Sequence, residues 1–250
     1  MVSVMKNSFY SQFILLFILF IPMAGSHGQE SLLRFNVTPQ GFPPYLLANP
    51  PAGIMYDVLG YIAQKQGYKL VAERIPENRV YVMLENNKLD AHASAMEWVN
   101  NPKKYAFTDP ILQVRDLVFT RKDSSLNYQS VEDLFGRSVG VRTGYSYQSL
   151  TEYFRAGKIK RMDSNNELYL LQMLSRERLD IAVITEHVGL WLIKNNNIKA
   201  DFTLAKNAVD TTDYRIVFSK KWLGFIKKFN AELALMKNNG HLNTILARYR

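Results

Sequence analysis

The side chains of this 250-residue sequence that could do covalent chemistry are few and far apart. Its four histidines, His27, His92, His187 and His241, include no i, i+4 pair of the kind that grips a metal on a helix, so neither a metal site nor a cofactor is expected. No G-x-S-x-G elbow, P-loop or dinucleotide fingerprint occurs. His92, in LDAHAS, reads as a hydrogen-bonded core histidine in a buried strand. The remaining candidates suit recognition. In GFPPY, two prolines restrict the backbone between Phe42 and Tyr45, which makes the aromatic pair either a rigid binding wall or plain core. In RTGYS, between a strand and a helix, the N–H groups of Gly144, Tyr145 and Ser146 can point at an anion, while Thr143 can equally be an N-cap.

Composition bounds where such a site would operate. Lys6, an apolar run from Phe13 to Met23 and the small residues Ala24, Gly25 and Ser26 stand in the order of a secretory leader, expected over residues 1–28 with cleavage after Ser26 or Gly28. An uncleaved anchor is the alternative. The apolar run is shorter than the roughly 20 residues of a membrane-spanning helix, and no later stretch approaches that length, so a soluble periplasmic chain is expected. With no cysteine there is no disulfide, no thiol nucleophile and no lipid-bearing N-terminal cysteine. Such a chain relies on its core, and 47% apolar residues can supply one. The net charge of +9 is spread in isolated pairs such as Lys103-Lys104 and Lys227-Lys228, which argues against a nucleic-acid partner.

Strand-like and helix-like segments alternate along the chain. Strands are expected at 32–37, 68–75 and 90–95, with helices at 54–66 and 78–87 between them, the β-α-β-α-β order of a parallel sheet. After a strand at 116–121 (DLVFTR) a polar stretch leads to a short helix at 130–136, opened by Ser130 with Asp133 three residues on. A second β-α-β-α-β block follows: strands at 138–142, near 159 and at 179–184, with helices at 146–154, 167–174 and 186–194. A strand at 214–218 (YRIVF) precedes two helices, 223–236 and 242–249. Two α/β lobes crossed twice by the chain are implied, with residues 29–119 and 216–250 in the first and 120–215 in the second. In open parallel sheets a ligand sits beyond the carboxyl ends of the strands. That rule puts GFPPY, Ser94 at the end of LDAHAS, AMEWVNN, RTGYS and ITE on one rim.

In their order, GFPPY, GIMYDVL, LDAHAS, KKYAFTDP, VEDLFGRSVGVRTGYSY, RERLDIAV and FNAELALMKNNGHLNTILARY make the mature chain resemble extracellular solute-binding proteins of the polar amino-acid type. The resemblance implies the two-lobed type II periplasmic binding fold and, in many members, delivery of a solute to an ABC permease. Some members serve as sensor modules and a few are periplasmic dehydratases. It also implies an arginine six residues before the Phe of F-[ST]-x-P and an aspartate after the R-x-D-x-A strand; here Asn101 and Thr185 stand in those slots, so both usual charge anchors are missing. A bound amino acid needs its carboxylate met by a guanidinium or helix N–H groups and its ammonium by a carboxylate, because a buried unpaired charge is costly. Glu97 or Glu186 could meet the ammonium and Arg142 or Arg115 the carboxylate; a different ligand is the other reading. Phe42 and Tyr45 would then form an apolar or cation-π wall facing Trp98.

A non-enzymatic binding protein is therefore expected, a monomer closing on a small polar solute by hinge motion at 116–121 and 212–218. Its partners would be that solute and an ABC permease or membrane receptor. The rivals are a lyase on the same fold, with Glu97 or Glu186 as general acid, and a sensory module.

Overall fold

The computed structural model describes residue 1 and residues 31–198 and 201–249. The leader expected over residues 1–28 thus lies, Met1 apart, outside the described residues. The first lobe is built on β1 (Ser31–Asn36), which pairs in parallel with β4 (Tyr68–Glu73) on one side and β5 (Ala91–Ser94) on the other. A two-residue hairpin, β2 (Leu47–Ala48) and β3 (Pro51–Ala52), precedes the crossover helix α1 (Ile54–Lys65). The apolar stripe read at Ile54, Val58, Leu59 and Ile62 is the buried face of α1, and it packs against Leu33 and Phe35 of β1 in one core. The second crossover is α2 (Glu77–Glu85), which covers a smaller cluster through Val80 and Leu84.

The second lobe repeats the arrangement around β8 (Ser138–Arg142), parallel to both β9 (Lys160–Ser164) and β10 (Ile181–Thr185). Helices α3 (Gln148–Arg155), α4 (Glu167–Ser175) and α5 (Glu186–Asn195) follow β8, β9 and β10. Two clusters, one containing Leu150 and Val183 and the other Phe119, Leu171 and Ile184, give this lobe its own core. The last helices, α6 (Leu223–Asn238) and α7 (His241–Ala247), return to the first lobe, where Phe229, Leu233, Met236 and Ile245 are buried with α1.

Two long strands join the lobes. β7 (Leu112–Arg121) and β11 (Phe202–Phe218) run antiparallel from Leu112 opposite Tyr214 to Arg121 opposite Phe202. On the far side of β11 residues 215–218 pair with β5, on its near side residues 217–218 pair with the short β6 (Ala106–Phe107) just before β7, and β7 pairs antiparallel with β10. The strand order is therefore β4-β1-β5-β11-β7-β10-β8-β9. Both crossing strands are longer than expected: β7 begins at Leu112 rather than 116, and β11 at Phe202 rather than 214. The stretch 203–213 carries Lys206, Asn207, Asp210 and Asp213 among its apolar residues, so strand propensity there is weak; pairing with β7 makes it a strand. The segment 131–134 is a 3-10 turn with a capping box, Asp133 accepting from the Ser130 N–H at 3.0 Å.

Helix α5 also touches the first lobe. Val188 is buried in the first-lobe core, and the Trp191 ring lies 6.3 Å from that of Tyr249. Gly189 lets the helix seat closely on β7, since a Cβ there would lie 2.5 Å from Phe119 Cζ.

Candidate functional site

The GFPPY corner is held by paired backbone bonds, Phe42 N–H to Leu46 O at 2.7 Å and Leu46 N–H to Phe42 O at 2.9 Å, around a cis Pro43–Pro44 bond. Gly53 presses on it from the start of α1: its φ of 111° suits glycine, and a Cβ there would lie 2.5 Å from Tyr45 O. So fixed, the corner aims its two rings at the interlobe boundary. Phe42 lies 5.1 Å from Tyr45 and edge-on to Tyr145 of the second lobe at 6.4 Å. Tyr45 is wholly buried, and its hydroxyl meets Nδ1 of His187 on α5 at 3.1 Å. Burial, with the charges of Asp116 and Glu186, pushes the Tyr45 phenol far above its usual range.

Tyr214, where β11 passes between the lobes, is the hub of this aromatic group. Its ring centroid lies 5.4 Å from Tyr45, 6.2 Å from Phe42 and 5.6 Å from Trp98. Trp98 therefore joins Phe42 and Tyr45 through Tyr214. Of the aromatics in the group, Trp98 at 44% and Tyr145 at 38% are exposed and form its open rim.

The charged candidates are differently disposed. Glu186, at the start of α5, accepts from the Arg115 guanidinium at 3.0 Å, and Arg142 donates to Glu167 at 3.3 Å while lying 5.7 Å from the Tyr145 ring centre. The ammonium and carboxylate anchors proposed for Glu186, Arg115 and Arg142 are thus already matched within the protein. Glu97 and Trp98 sit together on an exposed 3-10 turn (Met96–Trp98). Ser94 is buried and hydrogen-bonds the Tyr81 hydroxyl at 3.1 Å. His92 is the hydrogen-bonded core histidine expected, 3.0 Å from Glu77 and 3.4 Å from Asn36.

The RTGYS turn departs from expectation. Helix α3 starts at Gln148, so Thr143 is not its N-cap, and Ser146 precedes the helix. The Tyr145 N–H is consumed by Arg142 O at 3.2 Å. Asp210 of β11 occupies the helix N-terminus, accepting from Ser149 N–H at 3.1 Å and Ser149 Oγ at 2.7 Å. An intrinsic carboxylate has taken the place an external anion would use.

The residue missed in the sequence is Asp116. It lies on β7 opposite both Thr185 and Asp210, and it accepts from Thr185 Oγ1 at 2.7 Å. Burial, together with the charges of Asp210 and Glu167, raises its carboxyl to about 6 against the Thr185 bond, which lowers it. Two signals could have found this waist: an aspartate inside an apolar strand, DLVF, and a tyrosine opening YRIVF. Among the described residues, no group of three or more His, Cys, Asp and Glu side chains could hold a metal ion. A cavity of about 360 Å³ lies elsewhere, lined by Leu126, Tyr128, Thr203 and their neighbours in the second lobe.

Two lobes, two crossing strands and a polar and aromatic waist are the features that relatives should share. The sequence profile of bacterial extracellular solute-binding proteins, family 3, matches residues 35–250. The chain belongs to this family. A Vibrio harveyi protein, PatH, described as an amino-acid ABC transporter-binding protein, is 25% identical over 203 residues, 79% of each chain. Among solved structures, an ancestral arginine-binding protein bound to arginine superposes with a TM-score of 0.69 at 24% identity, covering 88% of this chain and 98% of that one. A histidine kinase sensor domain also gives 0.69, at 20% identity over 88% and 95%. At such identities the structural likeness establishes the two-lobed periplasmic binding fold. Among the described residues, no helix is long and apolar enough to cross a membrane.

Proposed function

We propose that this family 3 solute-binding protein captures a small polar solute, an amino acid or a related compound, between its lobes in the periplasm and presents the closed form to an ABC-type permease. The observation that carries the reading is the pair of contacts across the waist: Phe42 with Tyr145 joins candidate binding residues of both lobes, and the Tyr45 hydroxyl reaches His187 on α5. The likeness to PatH supports amino-acid transport.

The hinge is assigned to residues 115–116 and 210–213, where Val114 and Tyr214 belong to the first-lobe core and Val118 and Val209 to the second. A few residues absorbing the rotation, with rigid lobes on either side, are the usual hinge device. The protein acts as a monomer after loss of residues 1–28, and its role is non-enzymatic: Glu186, one of the two candidate acids, is already engaged by Arg115. A sensory role is the second reading, favoured by the likeness to the histidine kinase sensor domain.

Native mass spectrometry of the purified protein, followed by thermal-shift screening of amino acids, amines and organic acids, tests the assignment. Binding of one class, with the compound recovered intact and the radius of gyration reduced, supports capture. A compound consumed on incubation, or a screen with no binder, refutes it.

A further inference from the structure

Three cations at the waist are paired with carboxylates, and two further carboxylates there have no ion pair among the described residues. Arg115 is paired with Glu186, Arg142 with Glu167 and Arg215 with Asp213. Arg79 on α2 stands two residues from Glu77 and therefore on another face of that helix, away from the Glu77 and Tyr81 side that bonds β5. Asp116 has Thr185 as its hydrogen-bond donor and no cation among the described residues. Directly across the ladder, Asp210 uses one oxygen on Ser149 and leaves Oδ2 buried without a partner. Like charges directly opposite on paired strands destabilise a sheet, and a buried unpaired carboxylate adds to the cost.

A second, independent feature points to a guest. Tyr214 is 3% exposed and its hydroxyl makes no hydrogen bond among the described residues; that oxygen is not one of the fully buried unpaired atoms, so the otherwise buried phenol keeps its polar tip open to a guest. Burial first, and then Tyr145 of the opposite lobe and Glu77, hold this phenol well above its usual range, so it stays a neutral hydroxyl. Beside it, Trp98 offers an exposed indole face, the best of the aromatic surfaces for a cation.

We propose that the interlobe site takes an organic cation, an amine or a guanidine, whose charge is met by Asp116 and Asp210 and whose body lies along Trp98 and Tyr214, and that it requires no carboxylate on the ligand. The inference rests on the solute-binding reading and names its ligand class. Neutralising the two carboxylates relieves the like-charge pair, so the cation gains affinity that a neutral or anionic solute does not.

Agmatine, arginine and glutamate decide the matter by isothermal titration on the purified protein after ligand removal by unfolding and refolding. Agmatine is arginine without its carboxylate. Agmatine binding within about threefold of arginine, with no glutamate binding, is the expected result. Asp116→Asn is expected to weaken agmatine by more than about tenfold, and Trp98→Ala, at an exposed position that folding tolerates, by about threefold to tenfold. Arginine binding more than about tenfold tighter than agmatine, or binding of glutamate, would overturn the cation assignment and leave solute capture standing. A protein that binds none of the three, nor any member of a wider panel of amines, amino acids and organic acids, would overturn both.

Discussion

Asp116→Asn separates stability from binding in a way that can be measured. The carboxyl is raised from 3.8 to about 6 in the folded protein, so folding costs that much more when the group is ionised. At 1.36 kcal/mol per pKa unit the shift amounts to about 3 kcal/mol. Below pH 3.8 the group is protonated in both the folded and unfolded states and the penalty vanishes. Between 3.8 and 6 the folded state holds more protons than the unfolded one, so stability falls as pH rises, and above 6 the full penalty applies. Burial sets most of this balance, followed by Thr185 on β10, Asp210 on β11 and Glu167 on α4, with Tyr45, Tyr145 and Tyr147 close enough to feel the Asp116 charge. Asparagine keeps an oxygen for Thr185 and carries no charge. The variant is therefore expected to be more stable than the natural protein by up to about 3 kcal/mol at pH 7.5, or about 6 to 12 °C in melting temperature. Near pH 4 the difference should shrink to less than about 1 kcal/mol. Urea unfolding of both proteins at pH 7.5, 6 and 4 measures it. A variant that is less stable at pH 7.5, or a difference that does not change with pH, refutes the placement of an unpaired carboxylate at the waist.

Other perturbations report on the remaining parts. Tyr45→Phe removes the hydroxyl that reaches His187 across the lobes; a loss of about 1 kcal/mol shifts the closed-to-open ratio about fivefold, which single-molecule energy transfer between dyes on the two lobes would register. Arg142→Gln leaves Glu167, whose side chain is 12% exposed, without its cation and is expected to destabilise the second lobe by about 2 to 4 kcal/mol in urea unfolding. Gly189→Ala drives a methyl group against the Phe119 ring and is expected to cost about 1 to 3 kcal/mol, whereas the same change at Gly224, where a Cβ meets nothing within 4 Å, should be neutral or stabilising. Trp98 emission is expected to change when ligand binds, since its exposed ring borders the site; an unchanged spectrum at saturating ligand removes Trp98 from it.

The regular elements are largely legible in the amino-acid sequence, because their signals are local. A stripe at 3.6-residue spacing marks α1 and α6, alternation of strand and helix marks both parallel sheets, and Phe42, Tyr45, Trp98 and Tyr145 stand out by their places after strands. The polar strand segment 202–213 is not legible, since only its ladder with β7 makes it a strand. The charge pattern is not legible either. Glu186 and Arg142 are sound candidates as isolated letters, but Arg115 lies 71 residues from the first and Glu167 25 residues from the second, and only folding spends each charge on the other.

Composition, periodicity and turn chemistry thus determined that this chain makes two α/β lobes with aromatics at the ends of their strands. Tertiary structure alone decided which charges are left over, by laying Asp116 beside Asp210 and Tyr214 beside Trp98 along the two strands that cross between the lobes. The reason is one of range: backbone preferences are set within a few residues, whereas electrostatic pairing depends on distances through space that no spacing along the chain records.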